Sequence, residues 1–389
     1  MFNTITAKIP MNPILKLISI LLTTFCYLSL SSHSISAQEI NLFSQNLNDL
    51  NEKPIDKMSD NILGKDIKLT LRSLAQKHNF FIGSAVNVKA LRKDFLYRDR
   101  LSREFNIITA ENAMKFKRLH PKPKSFDFSR TDYLMAFASA NKMQVRGHTL
   151  VWHNALPDWL KEGDWTRDEL IDILENHIKT VVGRYRGRII AWDVVNEAVA
   201  DDGTLRNSFW LERIGPEYIE MAFRWAYEAD PNALLIYNDY GAEGLNRKSD
   251  AIYRLIKSLV ANNVPIHGIG LQMHIQVDSP PNVQDVAKNM SRFTNLGLQV
   301  HITEMDVRIK KPSLVSDFQQ QAKIYRDILR TCLLAEKCNT FVTWGFSDRY
   351  SWIPKHFKGW GDALLLNKNY QAKPAYYKLL KELADYQKQ

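Results

Sequence analysis

Cysteine is scarce in this chain: three among 389 residues, too few for a disulfide scaffold. No His-Glu-x-x-His or His-x-x-x-His spacing falls on a helical stretch, which argues against a metal-dependent hydrolase, so no metal site is expected. No Gly-x-Ser-x-Gly elbow is present to carry the nucleophile of a serine hydrolase. No glycine-rich phosphate loop follows any early strand, which speaks against an open, doubly wound nucleotide-binding sheet. Internal repeats and low-complexity tracts are also missing. The formal charge of +10 has no dense basic run behind it. The tightest cluster, Arg184-Tyr185-Arg186-Gly187-Arg188, holds only three charges and leads straight into an apolar segment. Bases interleaved with acids make a solvated surface rather than a nucleic-acid track, and no nucleic-acid partner is expected.

Hydrophobic residues make up 45% of the chain, enough for one large core or two smaller ones. They are not evenly spread. Lys8 and Lys16 precede an uncharged stretch from Leu17 to Leu30, followed by mostly small residues to Ala37. That is the pattern of a secretory signal over residues 1–37, cut after Ser36 or Ala37. Its removal takes away two lysines and leaves a charge of about +8 on an exported protein with no stable membrane association. The apolar stretch is short for a membrane span of about 20 residues. Residues 38–64 are polar and without period, and read as an arm or linker. Cys332 and Cys338 remain in the mature chain, six positions apart, where an oxidising compartment allows them to close a small loop.

From residue 65 to 385 short apolar runs alternate with amphipathic ones. The runs Phe80–Val86, Asn106–Ala110, Gln144–Thr149, Ile189–Val195, Ala233–Asn238, Gly268–Gln272, Gln299–Thr303 and Thr340–Gly345 read as buried parallel strands. Between them, stretches such as Arg167–Tyr185, Arg247–Asn262 and Val315–Ala335 carry helical periodicity. Eight strands alternating with helices in one domain predict a (β/α)8 TIM barrel of the α/β class. Polar and aromatic residues gather where the strands end, and a barrel places all those ends on one face. Two of them stand out. Glu197 closes Ile189-Ile190-Ala191-Trp192-Asp193-Val194-Val195-Asn196, and Glu304 closes Leu298-Gln299-Val300-His301-Ile302-Thr303. Two carboxylates facing each other across a cleft suit glycosidic cleavage: one protonates the leaving oxygen while the other attacks the sugar. Tryptophan faces stack on pyranose rings, and amide, lysine and histidine groups hydrogen-bond the hydroxyls.

The strings FNIITAENAMKF, GHTLVWH, WDVVNEA, GIGLQMH, ITEMDV and TWGFSDRYSW, in this order, resemble glycoside hydrolase family 10. That family is chiefly one of retaining endo-β-1,4-xylanases, and the resemblance covers roughly residues 65–385. It implies Glu197 as acid/base and Glu304 as nucleophile. Asn196 would bond a sugar 2-hydroxyl, His274 and Asp306 would hold and tune Glu304, and Gln272 would sit beside it. Glu111, Asn112, Lys115, His148, Trp152, Trp344 and Trp352 would line the glycone side, with Asn238 and Tyr240 toward the aglycone. The family often pairs cysteines just before the eighth strand, where Cys332 and Cys338 stand. Xylan or xylo-oligosaccharide would be the substrate, met by a monomer without cofactor. The alternative is another β-1,4-glycanase, one cleaving cellulose-like or mixed-linkage glucan, with a non-catalytic xylan-binding barrel behind it. Two positions depart from the family's pattern: Ala155 stands where glutamine is common, and Gly241 where asparagine is common.

Overall fold

Each apolar run hydrogen-bonds the next, and the last returns to the first, in a computed structural model that describes residues 69–387. The expected signal (1–37) and polar arm (38–64) lie outside the described residues. The strands are β1 Phe81–Val86, β2 Ile107–Ala110, β3 Gln144–Trp152, β4 Ala191–Asn196, β5 Leu234–Asp239, β6 Gly268–Leu271, β7 His274–Gln276, β8 Gln299–Lys310, β9 Thr340–Thr343 and β10 Trp360–Gly361. Strands β1 to β6, β8 and β9 pair in parallel, and β9 closes on β1 with Phe81 opposite Thr340 and Ser84 opposite Thr343. This is the (β/α)8 TIM barrel that the alternation predicts. Every residue of β2, β4 and β9 is buried, as strands covered by helices outside and side chains inside must be.

Close packing inside the barrel sets some residue types. Trp192 is fully buried, and a Cβ on Gly147 would come within 2.1 Å of its ring, so only glycine leaves room for it there. The helices carry their own start signals. Thr166 accepts from the Glu169 N–H while Glu169 reaches back to the Thr166 N–H, capping Arg167–Arg184. Asn246 and Ser249 do the same for Arg247–Ala261. Arg184, from the basic cluster, pairs with Asp132 on a neighbouring helix, as befits an ordinary helix-to-strand connection. Cys332, at the end of helix Val315–Leu334, is bonded to Cys338 and clips the turn that leads into β9. No helix among the described residues is long and apolar enough to cross a membrane.

Two strands run well beyond the ends that their apolar patterns predict. β3 continues to Trp152 because its outer part pairs with the tip of β4, Trp152 opposite Asn196. β8 spans twelve residues rather than five, because beyond the barrel it pairs with β7 on one side and β10 on the other. Glu304 therefore sits inside a strand, not at its tip.

Candidate active site

The floor of the site is a buried charged layer. Arg146, fully buried on β3, forks onto both oxygens of Asp193 on β4, with Nε 3.1 Å from Oδ2. Its remaining arm donates to His301 Nδ1 at 2.8 Å. Burial, helped by the Arg146 charge, holds His301 down at about 3, so the ring is neutral and its Nε2–H is free to donate to Gln299. Asp193 also accepts from His148 Nδ1 at 3.0 Å. Burial alone would raise the Asp193 carboxyl, but Arg146 and His148 hold it below the usual range. His148 is thus oriented from beneath, its Nδ1 also lying 3.8 Å from Glu304 and its ring meeting Trp344 edge-on.

Above this layer the two glutamates share one hydrogen-bond path. Asn238 donates to Glu304 Oε1 at 2.7 Å and to Asn196 Oδ1 at 2.8 Å, and Asn196 donates to Glu197 Oε1 at 3.1 Å. Gln272 adds a donor to the same Glu197 oxygen at 3.0 Å, while its backbone carbonyl accepts the Glu304 N–H. The other Glu197 oxygen accepts from Trp152 Nε1 at 2.8 Å. Glu197 itself has φ +59, a left-handed backbone that is uncommon for a residue with a Cβ.

Glu304 faces a cation on its other side. His274 Nε2 lies 3.2 Å from Glu304 Oε2 and its Nδ1 lies 3.0 Å from Asp306 Oδ2, which also accepts from Trp352 Nε1 at 2.8 Å. Burial opposes charge on the imidazole, but Asp306 and Glu304 outweigh it and raise His274 to about 10. The ring is therefore an imidazolium donating from both nitrogens across the neutral range. Because its folded pKa lies above the unfolded value of about 6.5, its stabilisation is complete below pH ~6.5 and lost as pH rises toward 10. ¹⁵N spectra of the imidazole at pH 8 should show both nitrogens protonated; a neutral-ring pattern there would contradict this arrangement.

The expected cleft residues gather around this pair. Lys115 Nζ bonds Asn112 at 3.1 Å and sits 4.8 Å from the Trp152 ring centre and 5.9 Å from that of Trp344. Burial lowers Lys115 despite the carboxylates of Glu304, Glu111 and Glu197, and burial raises Glu111 despite Lys115. Trp352 packs against His274 with ring centres 5.0 Å apart. Tyr240 is half-buried, with Lys248 Nζ 3.4 Å over its ring. Gly241 beside it has φ +66, a backbone that suits glycine.

Asn238 corrects the sequence reading. It is fully buried, its amide consumed by Asn196 and Glu304 and its Oδ1 by the Thr303 hydroxyl, so it supports the glutamates from below instead of facing an aglycone sugar. Gly270 makes the space for it: a Cβ there would lie 2.2 Å from Asn238 Oδ1. Arg146, Asp193 and His301 were not among the expected site residues. The available signal was a charged or titratable group in the middle of each apolar run. Arg206, whose Nε donates to the Glu197 carbonyl, and the buried Asp239–Lys248 pair carry no comparable signal, since they depend on how loops return.

Comparison with known proteins follows the same boundaries. The sequence profile of glycosyl hydrolase family 10 matches residues 70–382. An endo-1,4-beta-xylanase B from Thermotoga neapolitana is 48% identical over 310 residues, covering 79% of this chain and 89% of that protein. The crystal structure of native xylanase 10B from Thermotoga maritima superposes with a TM-score of 0.79 at 48% identity, covering 81% of this chain and 98% of that one. Xylanase 10B from Thermotoga petrophila RKU-1, solved in complex with xylobiose, gives the same TM-score and identity, covering 81% and 97%.

Proposed function

The chain belongs to glycosyl hydrolase family 10, and we propose that it is a secreted endo-β-1,4-xylanase that cleaves internal xylosidic bonds with retention of configuration. The observation that carries this reading is the pair Glu197 and Glu304, linked through Asn196 and Asn238, with Trp152 bonded to Glu197, Trp344 against His148 and Trp352 against His274. His274 donates to Glu304 Oε2 and Asn238 to Oε1, which fixes the carboxylate for attack on C1. As the bond from C1 to the leaving oxygen breaks, Glu197 gives that oxygen its proton and Glu304 forms an ester with the sugar. In the second step Glu197 takes a proton from water, the water oxygen bonds to C1, and the ester to Glu304 breaks. Two inversions amount to retention. The basic and apolar N-terminal segment supports export, and the xylanase names of the relatives support xylan as substrate.

Incubation with xylan, carboxymethylcellulose and mixed-linkage glucan tests substrate and mechanism together. Reducing-end release should be more than about tenfold faster on xylan, since the glucans carry a C5 hydroxymethyl that must fit near Trp344 and Trp352. Proton NMR of the fresh products should show the β-anomer first, decaying to the equilibrium mixture. Comparable release from all three polymers would favour a broader β-1,4-glycanase, and an α-anomer appearing first would exclude the covalent route.

A further inference from the structure

We propose that Arg206 is a positioning residue for Glu197, its guanidinium holding the acid/base backbone in the left-handed conformation that aims the carboxyl group into the cleft. The inference rests on the assignment of Glu197 as acid/base. At φ +59 Glu197 occupies a region that is uncommon for a side-chain-bearing residue and costs free energy unless its surroundings favour it. Three ties impose it here. The Glu197 N–H bonds the Asn238 carbonyl at 2.8 Å. The Ala198 N–H bonds the Tyr237 hydroxyl at 3.1 Å, and that hydroxyl donates to buried Asp239 at 2.6 Å. Both of these come from β5. The third, from Arg206 Nε to the Glu197 carbonyl at 2.8 Å, comes from the loop after β4 itself.

That loop is built to bring the guanidinium back. Val199 and Leu205 form an antiparallel bridge, and the Arg206 N–H closes on the Ala198 carbonyl at 2.7 Å. The side chain then takes Glu197 O with Nε, and Val199 O and the Tyr240 hydroxyl with Nη2, the last two at 3.1 Å. Among the described residues no carboxylate pairs with Arg206, so its donors serve the turn that carries Glu197 and the neighbouring Tyr240. Lysine, with a single ammonium on a flexible stem, cannot address two carbonyls and a phenol from one plane.

A carboxyl group displaced by about an ångström loses on the order of 10²-fold in rate, but only where its proton is needed. Arg206→Lys and Arg206→Met should therefore be assayed on aryl xylobiosides with leaving groups of graded acidity, with Glu197→Ala alongside. For poor leaving groups kcat/KM should fall by about 10- to 100-fold. For a dinitrophenyl leaving group it should stay within about threefold, because the first step there needs little protonation. On that same substrate kcat should fall, and KM with it, since the second step still requires Glu197 as base and intermediate accumulates. Loss that is equal for all leaving groups, or absent for poor ones in both variants, would overturn the assignment of Arg206. Arg206→Lys, which keeps the cation, decides the matter should Arg206→Met not fold. A Glu197→Ala variant with no leaving-group dependence would instead remove the acid/base reading on which this inference stands.

Discussion

Replacing Glu304 with alanine is expected to lower turnover on the order of 10⁵-fold or more on every substrate, activated or not. The neighbouring Asp306 cannot take its place, since it is fully buried and its Oδ2 is held by His274 and Trp352. The substitution also strips an acceptor from Asn238 and from His274, so the variant should lose about 1–3 kcal/mol of stability. Circular dichroism at the assay temperature separates that loss from the chemical one. Glu197→Ala should behave differently. Aryl xylobiosides with good leaving groups should still form the glycosyl-enzyme, which then accumulates for want of a base. Added azide should restore turnover and give a β-azide, because a small anion needs no base and inverts the centre a second time. Azide rescue of the Glu304 variant with an α-azide product, and none for Glu197, would mean the two roles are reversed.

The largest expected loss of stability lies one layer down, at Arg146→Met. Both Arg146 and Asp193 are almost wholly out of water, at 0% and 1% exposure. Removing one partner of such a pair strands the other's charge, and losses of about 3–5 kcal/mol are usual. The urea midpoint of Arg146→Met should shift accordingly, with the slope unchanged. Adding Asp193→Leu should return part of the loss, since two apolar side chains leave no orphaned charge. His148 would lose its anchor in the double variant, so regained stability should not bring regained activity. A single-variant loss below about 1 kcal/mol would show that water reaches the pair.

The barrel was legible because its signal is periodic and repeated: buried strands, each followed by an amphipathic helix. The two glutamates were legible because Glu197 and Glu304 close runs that are mostly apolar. Strand ends were less legible, since β8 continues past Glu304 by pairing with β7 and β10, segments of three and two residues that are too short to announce themselves. Asn238 was misplaced for a related reason. An amide near a strand's end can point into the cleft or down between neighbours, and only the absence of a side chain at Gly270 decides which. The charged layer of Arg146, Asp193 and His301 was visible as three anomalies in three separate runs. Which residues pair depends on register between strands far apart in the chain, for which a single sequence carries no signal. Arg206 depends on the return path of a loop, less legible still.

The seam where β9 meets β1 has a consequence for biosynthesis. Thr343 Oγ1 donates to the Gly83 carbonyl across 260 residues of sequence. Contacts so distant are the slowest to form, because the chain between them must first be gathered at an entropic cost. During translation both glutamates leave the ribosome well before Thr343 does. A nascent chain therefore carries both glutamates with no closed ring to hold them, and its apolar strand edges stay open to solvent until the last barrel strand arrives.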